Sequence, residues 1–578
     1  MLKAYDNFIK LAIKAAPKNS ASFLTTKKKL AGELKLVMPT NADLREHYEK
    51  MIAAKKIKRS LKFEEVLQSR KIRTQSGVAV VAVLTKAYPC PGQCLYCPTE
   101  KDMPKSYLSN EPAVMRAIDS KFDPYRQVQN RLRSLELNGH KTDKIELIVM
   151  GGTFSYLPKK YQEKFITECF RACNDYPRRV SCIAYRVSSR RDALQCVSTL
   201  ACEQKRNETA KHRIIGLTLE TRPDYINEQE ILNFRNLGCT RVELGVQSLF
   251  DDVLKINKRG HLVAETIQAT KLLKDAGFKI NYHMMPGLPG STLKKDLQMF
   301  QELFTNPNFQ PDMLKIYPTV VLKNSALYNL WKKKKYVPLT DNNFEKLILE
   351  IKNEAIPPYV RIARLVRDVP TTSIIAGPTL SNLRQIIIPQ SKCPCIRCRE
   401  VGADYTINEK IVLDRIDYPA SDGQEIFLQY VSPDKKKLFA LLRLRIPSLM
   451  CHPERSRDMK CLGVVEGSTP KLDSSTSLRC ARNDKLYNFL PVLKNAALIR
   501  EVHTYGKMAE INTKDKKSPQ HIGLGKKLML EAERIARQEF GRDKIVVISG
   551  VGVRGYYRKM GYRLQDTYMT KNLNLCKK

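Results

Sequence analysis

Residues 86–100, KAYPCPGQCLYCPTE, carry three cysteines, Cys90, Cys94 and Cys97, at the spacing C-x3-C-x2-C. The stretch follows the apolar run GVAVVAVLT, residues 77–85. A continuous β-branched run of this kind reads as a parallel strand buried on both faces. The cysteine loop therefore leaves the C-terminal end of a strand, where α/β folds place their chemistry. Three thiolates at this spacing wrap one loop around three corners of an iron–sulfur cube. The fourth iron is left open to hold a substrate-like cofactor, beyond passing electrons. A zinc loop and unrelated thiols are the competing readings. A C-x2-C alone favours zinc, whereas the third cysteine, with aromatic Tyr96 ahead of Cys97, favours the cluster.

Working outward, IELIVMGGTF, RIIGLTLETRPDYI, RVELGVQSLF, FKINYHMMPGLPG and DMLKIYPTVVL each read as a strand ending in a polar or Gly-rich turn. Helical patterns separate them. This alternation from residue 76 to 325 predicts an α/β fold, a partial (β/α)6 barrel of parallel strands. Residues 177–200 fit the rhythm poorly and read as a local insertion. Residues 326–420 are mixed, and a further α+β domain is expected over 421–578. There QEIFLQYVS and KLFALLRLRIP alternate like antiparallel strands around SPDKK. Residues 448–486 are polar and aperiodic and read as an insertion loop, which makes Cys451, His452, Cys461 and Cys480 poor ligand candidates.

At 578 residues the chain is too long for one core. Its 100 Lys+Arg against 59 Asp+Glu give +41, which favours a polyanionic partner, nucleic acid first and an anionic membrane surface second. Residues 1–75 are helical in pattern and Lys-rich with few interleaved acids, so a nucleic-acid-binding segment competes with a merely basic surface. No run approaches 18 apolar residues and the N-terminus lacks a signal-peptide core, so no membrane span is expected. Sixteen cysteines, six of them in two tight clusters, read as metal ligation in a reducing compartment, by default the cytoplasm.

Two further centres stand out. Gln520, Gly523 and Gly525 form Q-x-x-G-x-G ahead of a helical pattern and after the strand AALIREVHTYG. Glycines there let backbone N–H groups approach a pyrophosphate at a helix N-terminus. The following KIVVISGVGVRGYYRKMGYRL reads as a strand, a short helix with Tyr556 and Tyr557, and a last strand. This ending resembles GNAT acyltransferases, which bind acetyl-CoA. Tyrosine is the usual general-acid type there, since a phenol can protonate a leaving thiolate; simple aromatic packing is the bland alternative for either ring. Cys393, Cys395 and Cys398, at C-x-C-x2-C, suit a structural Zn2+ that needs one more ligand, with a second cluster as the rival. His283 is one candidate for that ligand, but a satisfied barrel-mouth histidine is the favoured reading.

The first cysteine loop resembles that of radical S-adenosylmethionine (SAM) enzymes, whose open iron holds the amino acid part of SAM. Joined to a GNAT domain, the chain from about residue 75 resembles the catalytic subunit of Elongator, the tRNA uridine C5-carboxymethyltransferase family, in its bacterial or archaeal stand-alone form. EPAVMRA, DKIELIVMGGTF, GLTLETRPDYI, YHMMPGLPG, CPCIRCREVG, QHIGLG and GVRGYYRKMGY carry the resemblance. It implies 4Fe–4S ligands at Cys90, Cys94 and Cys97, and SAM contacts around Gly151, Gly152 and Glu220. It also implies acetyl-CoA contacts at Lys144, at Glu501, Val502, His503 and Thr504, at Leu524, Gly525 and Lys526, and at Tyr557. Departures are the two insertions and PTE after Cys97, where the family has PGG.

The implied chemistry has a SAM-derived radical take hydrogen from the acetyl methyl of acetyl-CoA. The carbon radical adds to C5 of a wobble uridine, and thioester hydrolysis leaves a carboxymethyl group. The partners implied are tRNA, SAM and acetyl-CoA. A homodimer is left open, and the stand-alone form requires no accessory Elongator-like subunits. An anticodon base must be unstacked to reach such a centre. Competing readings are a protein lysine acetyltransferase with a structural cluster and a degenerate tRNA-binding protein. The carboxymethyltransferase reading expects the open corner of the cluster to face the bound thioester.

Overall fold

The computed structural model describes residues 2–69, 77–177, 199–402, 409–447, 488–506 and 523–574. Both insertions read from the sequence, and Gln520, fall almost wholly or wholly outside them.

Four helices, α1 (Leu2–Lys14), α2 (Ser20–Glu33), α3 (Asn41–Ala53) and α4 (Leu61–Leu67), open the chain. They start at side-chain caps, Asn19, Thr40 and Ser60 for the last three, and close on their own core of Phe8, Phe23, Leu44, Tyr48 and Phe63. The bundle rests on the helix Pro124–Leu137, where Arg133 pairs with Glu46 at 3.1 Å.

Seven parallel strands follow: β1 (Ala79–Leu84), β2 (Lys144–Met150), β3 (Arg213–Thr221), β4 (Arg241–Gln247), β5 (Lys279–Met284), β6 (Met313–Ile316) and β7 (Arg361–Arg364). They pair in sequence order into one curved sheet. The first six are the strands read from the sequence. The seventh corrects the domain limits, because it comes from the 326–420 segment expected to be a linker. RIAR is too short and too charged to show a strand pattern. Side chains alternate across the sheet: on β2, Ile145, Leu147 and Val149 pack under the helices, while Glu146, Ile148 and Met150 face inward. The inward positions on β2–β7 carry Glu146, Glu220, Arg241, Glu243, Asn281, His283, Lys315 and Arg361, so the barrel encloses a polar cavity.

A second sheet holds β8 (Val412–Ala420), β9 (Gly423–Val431), β10 (Leu438–Ile446), β11 (Ala496–Thr504), β12 (Lys544–Val547), β13 (Arg563–Gln565) and β14 (Tyr568–Asn572), in the order β8-β9-β10-β11-β12-β14-β13. The predicted antiparallel pair is β9–β10. The domain limit at 421 is corrected as well: Ala420 pairs with Gly423, so 421 lies in the turn of the β8–β9 hairpin. Only β11 and β12 pair in parallel, and their pairing ends at Ile499 with Val547 while β11 runs on to Thr504. Beyond that point the two strands part. Helix α5 (Leu524–Arg534) starts beside the gap, after Gly523 in the left-handed region at φ 81°.

The second sheet docks beneath the N-terminal ends of the barrel strands. A Cβ built on Gly550 would lie 2.0 Å from the Ile215 carbonyl oxygen, so only glycine permits that approach. Tyr568 Oη donates to Ala276 O at 2.9 Å, and Arg554 pairs with Glu208 at 3.2 Å.

Candidate active site

The cysteine loop follows the C-terminal end of β1, as read from the sequence. Cys94 is buried; Cys90 and Cys97 are half-buried. Gly92 N–H donates to Cys90 Sγ at 3.4 Å, and Arg259 Nη1 to Cys94 Sγ at 3.5 Å. A Cβ on Gly92 would meet Cys94 Sγ at 3.5 Å, Cys90 Sγ at 3.7 Å and Arg222 Nη1 at 2.5 Å. Arg222 Nη1 is buried without a hydrogen-bond partner among the described residues, while the rest of its guanidinium forks onto Asp224 at 2.9 and 2.8 Å. The hydrogen bond with Cys97, and then Arg259, bring the Cys94 thiol down to about 4.

These features fit a cluster. All three donors are sulfur, a buried cation waits above the loop for negative charge, and N–H groups reach the sulfurs. One tetrahedral Zn2+ holds sulfurs about 3.8 Å apart, from a Zn–S bond of about 2.3 Å. Cys393, Cys395 and Cys398, with ligand atoms within 4.8 Å of one another, are compatible with such an ion.

Below the loop lies a cavity of about 980 Å3 that runs down the barrel interior. Gly152 and Glu220 line it. Gly151, at φ 135°, presses on Thr85, whose Oγ1 would lie 2.1 Å from a Cβ there. Tyr107 Oη donates to Glu220 at 2.8 Å. Glu243 accepts from His283 at 2.8 Å, from Asn281 at 3.1 Å and from Lys315. Burial raises its carboxyl, but Lys315 and His283 more than offset this and hold it well below the usual range. His283 therefore belongs to the barrel interior. This is the barrel histidine favoured from the sequence, and the alternative of a zinc ligand falls away, because the hydrogen bond to Glu243 holds it among Glu220 and Glu243 and apart from the Cys393 set. Beside those cysteines stands Lys352, whose Nζ is 3.3 Å from Cys398 Sγ.

The second cavity, about 470 Å3, opens where β11 and β12 part. Glu501, Val502, His503, Thr504, Gly523, Gly525, Lys526, Tyr556 and Tyr557 line it, together with Lys144 from the start of β2. Leu524 sits in the core, leaving its backbone as the only group it can offer. Tyr557 is buried against Tyr562, and burial pushes its phenol up. Tyr556 is partly exposed, its Oη 3.4 Å from a Cβ built on Gly525. Burial raises the Glu501 carboxyl, yet Lys279 at 3.0 Å and Arg443 at 3.0 Å hold it well below its ordinary value.

The expectation that the open corner of the cluster faces the thioester site is corrected: the two cavities open at opposite ends of the barrel strands, and the barrel cavity runs down to the floor where the second one ends. Glu146 lines both of them. The sequence reading missed Glu146 and Arg241, and missed Arg222 and Arg259 at the loop. Each sits inside a quoted or adjacent strand stretch, but nothing in local spacing marks it as functional.

The family model described as the Radical SAM superfamily matches residues 87–303, and that of the Radical_SAM C-terminal domain matches 311–391. The second match covers β7, in keeping with its place in the barrel. The chain is 42% identical over 527 residues to a tRNA uridine(34) acetyltransferase of Methanocaldococcus infernus, covering 88% of both. It is 38% identical to Elongator complex protein 3 of Danio rerio, over 88% of this chain and 86% of that one. Among solved structures, archaeal Methanocaldococcus infernus Elp3 with an N-terminal deletion superposes with a TM-score of 0.65 at 39% identity, over 86% of this chain and 99% of that one. The radical SAM superfamily implies a 4Fe–4S cluster and SAM. The chain belongs to the family of the tRNA uridine(34) acetyltransferases and Elongator complex protein 3.

Proposed function

We propose that this protein forms 5-carboxymethyluridine at the wobble position of tRNA, using acetyl-CoA and SAM. The observation that carries the reading is that the cavity headed by the cysteine loop and the cavity between β11 and β12 share a lining residue, Glu146, so the two spaces adjoin at the barrel floor. Neither a structural cluster nor a plain acetyltransferase has use for two cavities that adjoin at one side chain.

Cys90, Cys94 and Cys97 would hold the cluster, and Gly151, Gly152 and Glu220 would border SAM; together these groups supply a 5′-deoxyadenosyl radical when bound. Arg222 and Arg259 would neutralise the thiolate charge. The N–H groups from Gly523 to Lys526 would take the pyrophosphate of acetyl-CoA at the start of α5. Its tail would run along Glu501–Thr504, in the gap left by β12, with Lys144 and Tyr557 flanking it. Of the two phenols, that of Tyr556 is the more accessible to a leaving thiolate. Cys393, Cys395 and Cys398 would hold zinc beneath β7. The lysines of α1–α4 would contact tRNA phosphates without reading sequence.

The test is anaerobic incubation with reductant, SAM, acetyl-CoA and tRNA, followed by nucleoside mass analysis. Carboxymethyluridine is expected. Acetyl-lysine alone would support a protein acetyltransferase, and RNA binding without product a degenerate binder. Cys94→Ala is expected to abolish cluster absorbance and 5′-deoxyadenosine release while the fold survives; continued release contradicts the ligand assignment.

A further inference from the structure

We propose that Glu146 and Arg241 form the end wall of the thioester pocket, limit the acyl chain it admits, and separate that pocket from the barrel cavity. The inference rests on the reading that this pocket takes an acyl-CoA.

The pocket has a direction. One end is the turn Gly523–Lys526 at the start of α5, suited to a pyrophosphate. The other end reaches the barrel floor at Glu146, Gly216, Thr240 and Lys279. A tail laid along β11 from the first end therefore points its acyl group at the second.

Glu146 closes that end. Its Oε1 lies 2.5 Å from Arg241 Nη1, with side chains 24% and 7% exposed, and Arg241 lines the barrel cavity on the far side. Arg241 Nη1 also reaches Met313 Sδ at 3.8 Å, which anchors the guanidinium within the barrel. On the neighbouring strand Glu146 pairs with Gly216, which brings no side chain. A Cβ there would still be 3.8 Å from Glu146 Cγ. Glu146 is the residue common to both linings, so its side chain stands at the floor where the two spaces meet. An acetyl group fits short of it, whereas a longer acyl chain meets the carboxylate. Moving an acetyl methyl into the barrel requires the carboxylate to turn away from Arg241.

The test is calorimetric binding of acetyl-CoA and hexanoyl-CoA to the full chain. Wild type is expected to prefer acetyl-CoA at least tenfold, in line with the tens-fold worth of a methylene in a fitted pocket. Glu146→Ala is expected to bring the ratio below about threefold, whereas Glu146→Gln, which keeps the bulk, retains it. Since Glu146→Ala leaves Arg241 an unpaired buried cation, the double variant Glu146→Ala with Arg241→Met repeats the measurement without that charge and is expected to show the same relaxed ratio. Thermal melting reports whether each variant is folded. A wild-type ratio retained in both truncated variants, or lost in Glu146→Gln, overturns the proposal. A wild type that binds acetyl-CoA without preference overturns it as well. A wild type that binds neither thioester overturns the acyl-CoA reading itself, and this wall with it.

Discussion

Arg222 and Arg259 reach the cysteine loop from the ends of β3 and of the helix after β4: Arg259 Nη1 donates to Cys94 Sγ at 3.5 Å, and Arg222 Nη1 comes close to Gly92. Such cations favour the reduced, more negative state of a thiolate-bound cluster. Arg259→Met should therefore shift the midpoint potential negative by tens of millivolts, where about 59 mV is a tenfold change for one electron. Redox titration followed by absorbance checks this; an unchanged potential removes Arg259 from the tuning role. Asp296 is a second residue with a clear sign. It accepts from Gly287 N–H at 2.7 Å and Ser291 Oγ at 2.6 Å, and burial raises its carboxyl to about 6. Its folded value lies above the unfolded one, so its contribution is full below about pH 4 and lost as pH rises through about 6. Roughly 3 kcal/mol is at stake from a shift of about two units. Denaturant unfolding of wild type and Asp296→Asn at pH 5 and 7.5 should show the loss only in wild type. The three cysteines were legible in the sequence because spacing alone marks them. The arginines were not, because only the fold brings them to the loop.

At the scale of the element, the parting of β11 from β12 creates the second cavity, and the strand and the helix that border it were both read from the sequence. The two short barrel-floor contacts of the 550–552 turn were not. A Cβ on Gly550 would meet backbone at 2.0 Å, and backbone cannot give way as a side chain can. Gly550→Ala should cost about 1–3 kcal/mol by overpacking and loosen acetyl-CoA binding, since the turn lines the pocket. Binding and melting curves that match wild type would contradict this. The six strands with apolar runs were all visible in the sequence. β7, as RIAR, and β8, as VLDRIDYPA, were not: the first is too short for periodicity, and the second, an edge strand, alternates with exposed charges.

For the whole molecule, orientation of the second sheet is fixed by a buried ionic network. Asp275, Asp312, Glu425 and Glu501 meet Lys274, Arg443, Arg445 and Arg500 between the domains. Four of these side chains, Lys274, Asp312, Arg445 and Arg500, have no exposed surface at all. Burial raises the Asp312 carboxyl, but Arg500, Lys274 and Arg443 outweigh it and hold it well below its ordinary value. That stabilisation is present above about pH 4 and is lost as pH falls through the depressed value. Lys274 has the opposite burden: burial brings it down to about 8. Its penalty is full below pH 8 and is relieved between about 8 and 10.4, so stability should rise with pH there and Lys274→Met should abolish the rise. Asp312→Asn leaves buried cations short of a partner and should cost about 3–5 kcal/mol. A loss below 1 kcal/mol in denaturant titration would show the network to be dispensable for docking. None of this network was visible from charge counts, because its members come from three strands of the second sheet, one barrel helix and the residue just before β6.

Whether the two cavities act as one site is tested most directly with acetyl-CoA deuterated at the methyl, together with SAM, reductant and tRNA under anaerobic conditions. If the thioester methyl reaches the barrel, deuterium appears in the released 5′-deoxyadenosine alongside carboxymethyluridine. Unlabelled 5′-deoxyadenosine accompanying a modified uridine would mean that the acetyl methyl never passes the barrel floor, and the link through Glu146 would be contradicted.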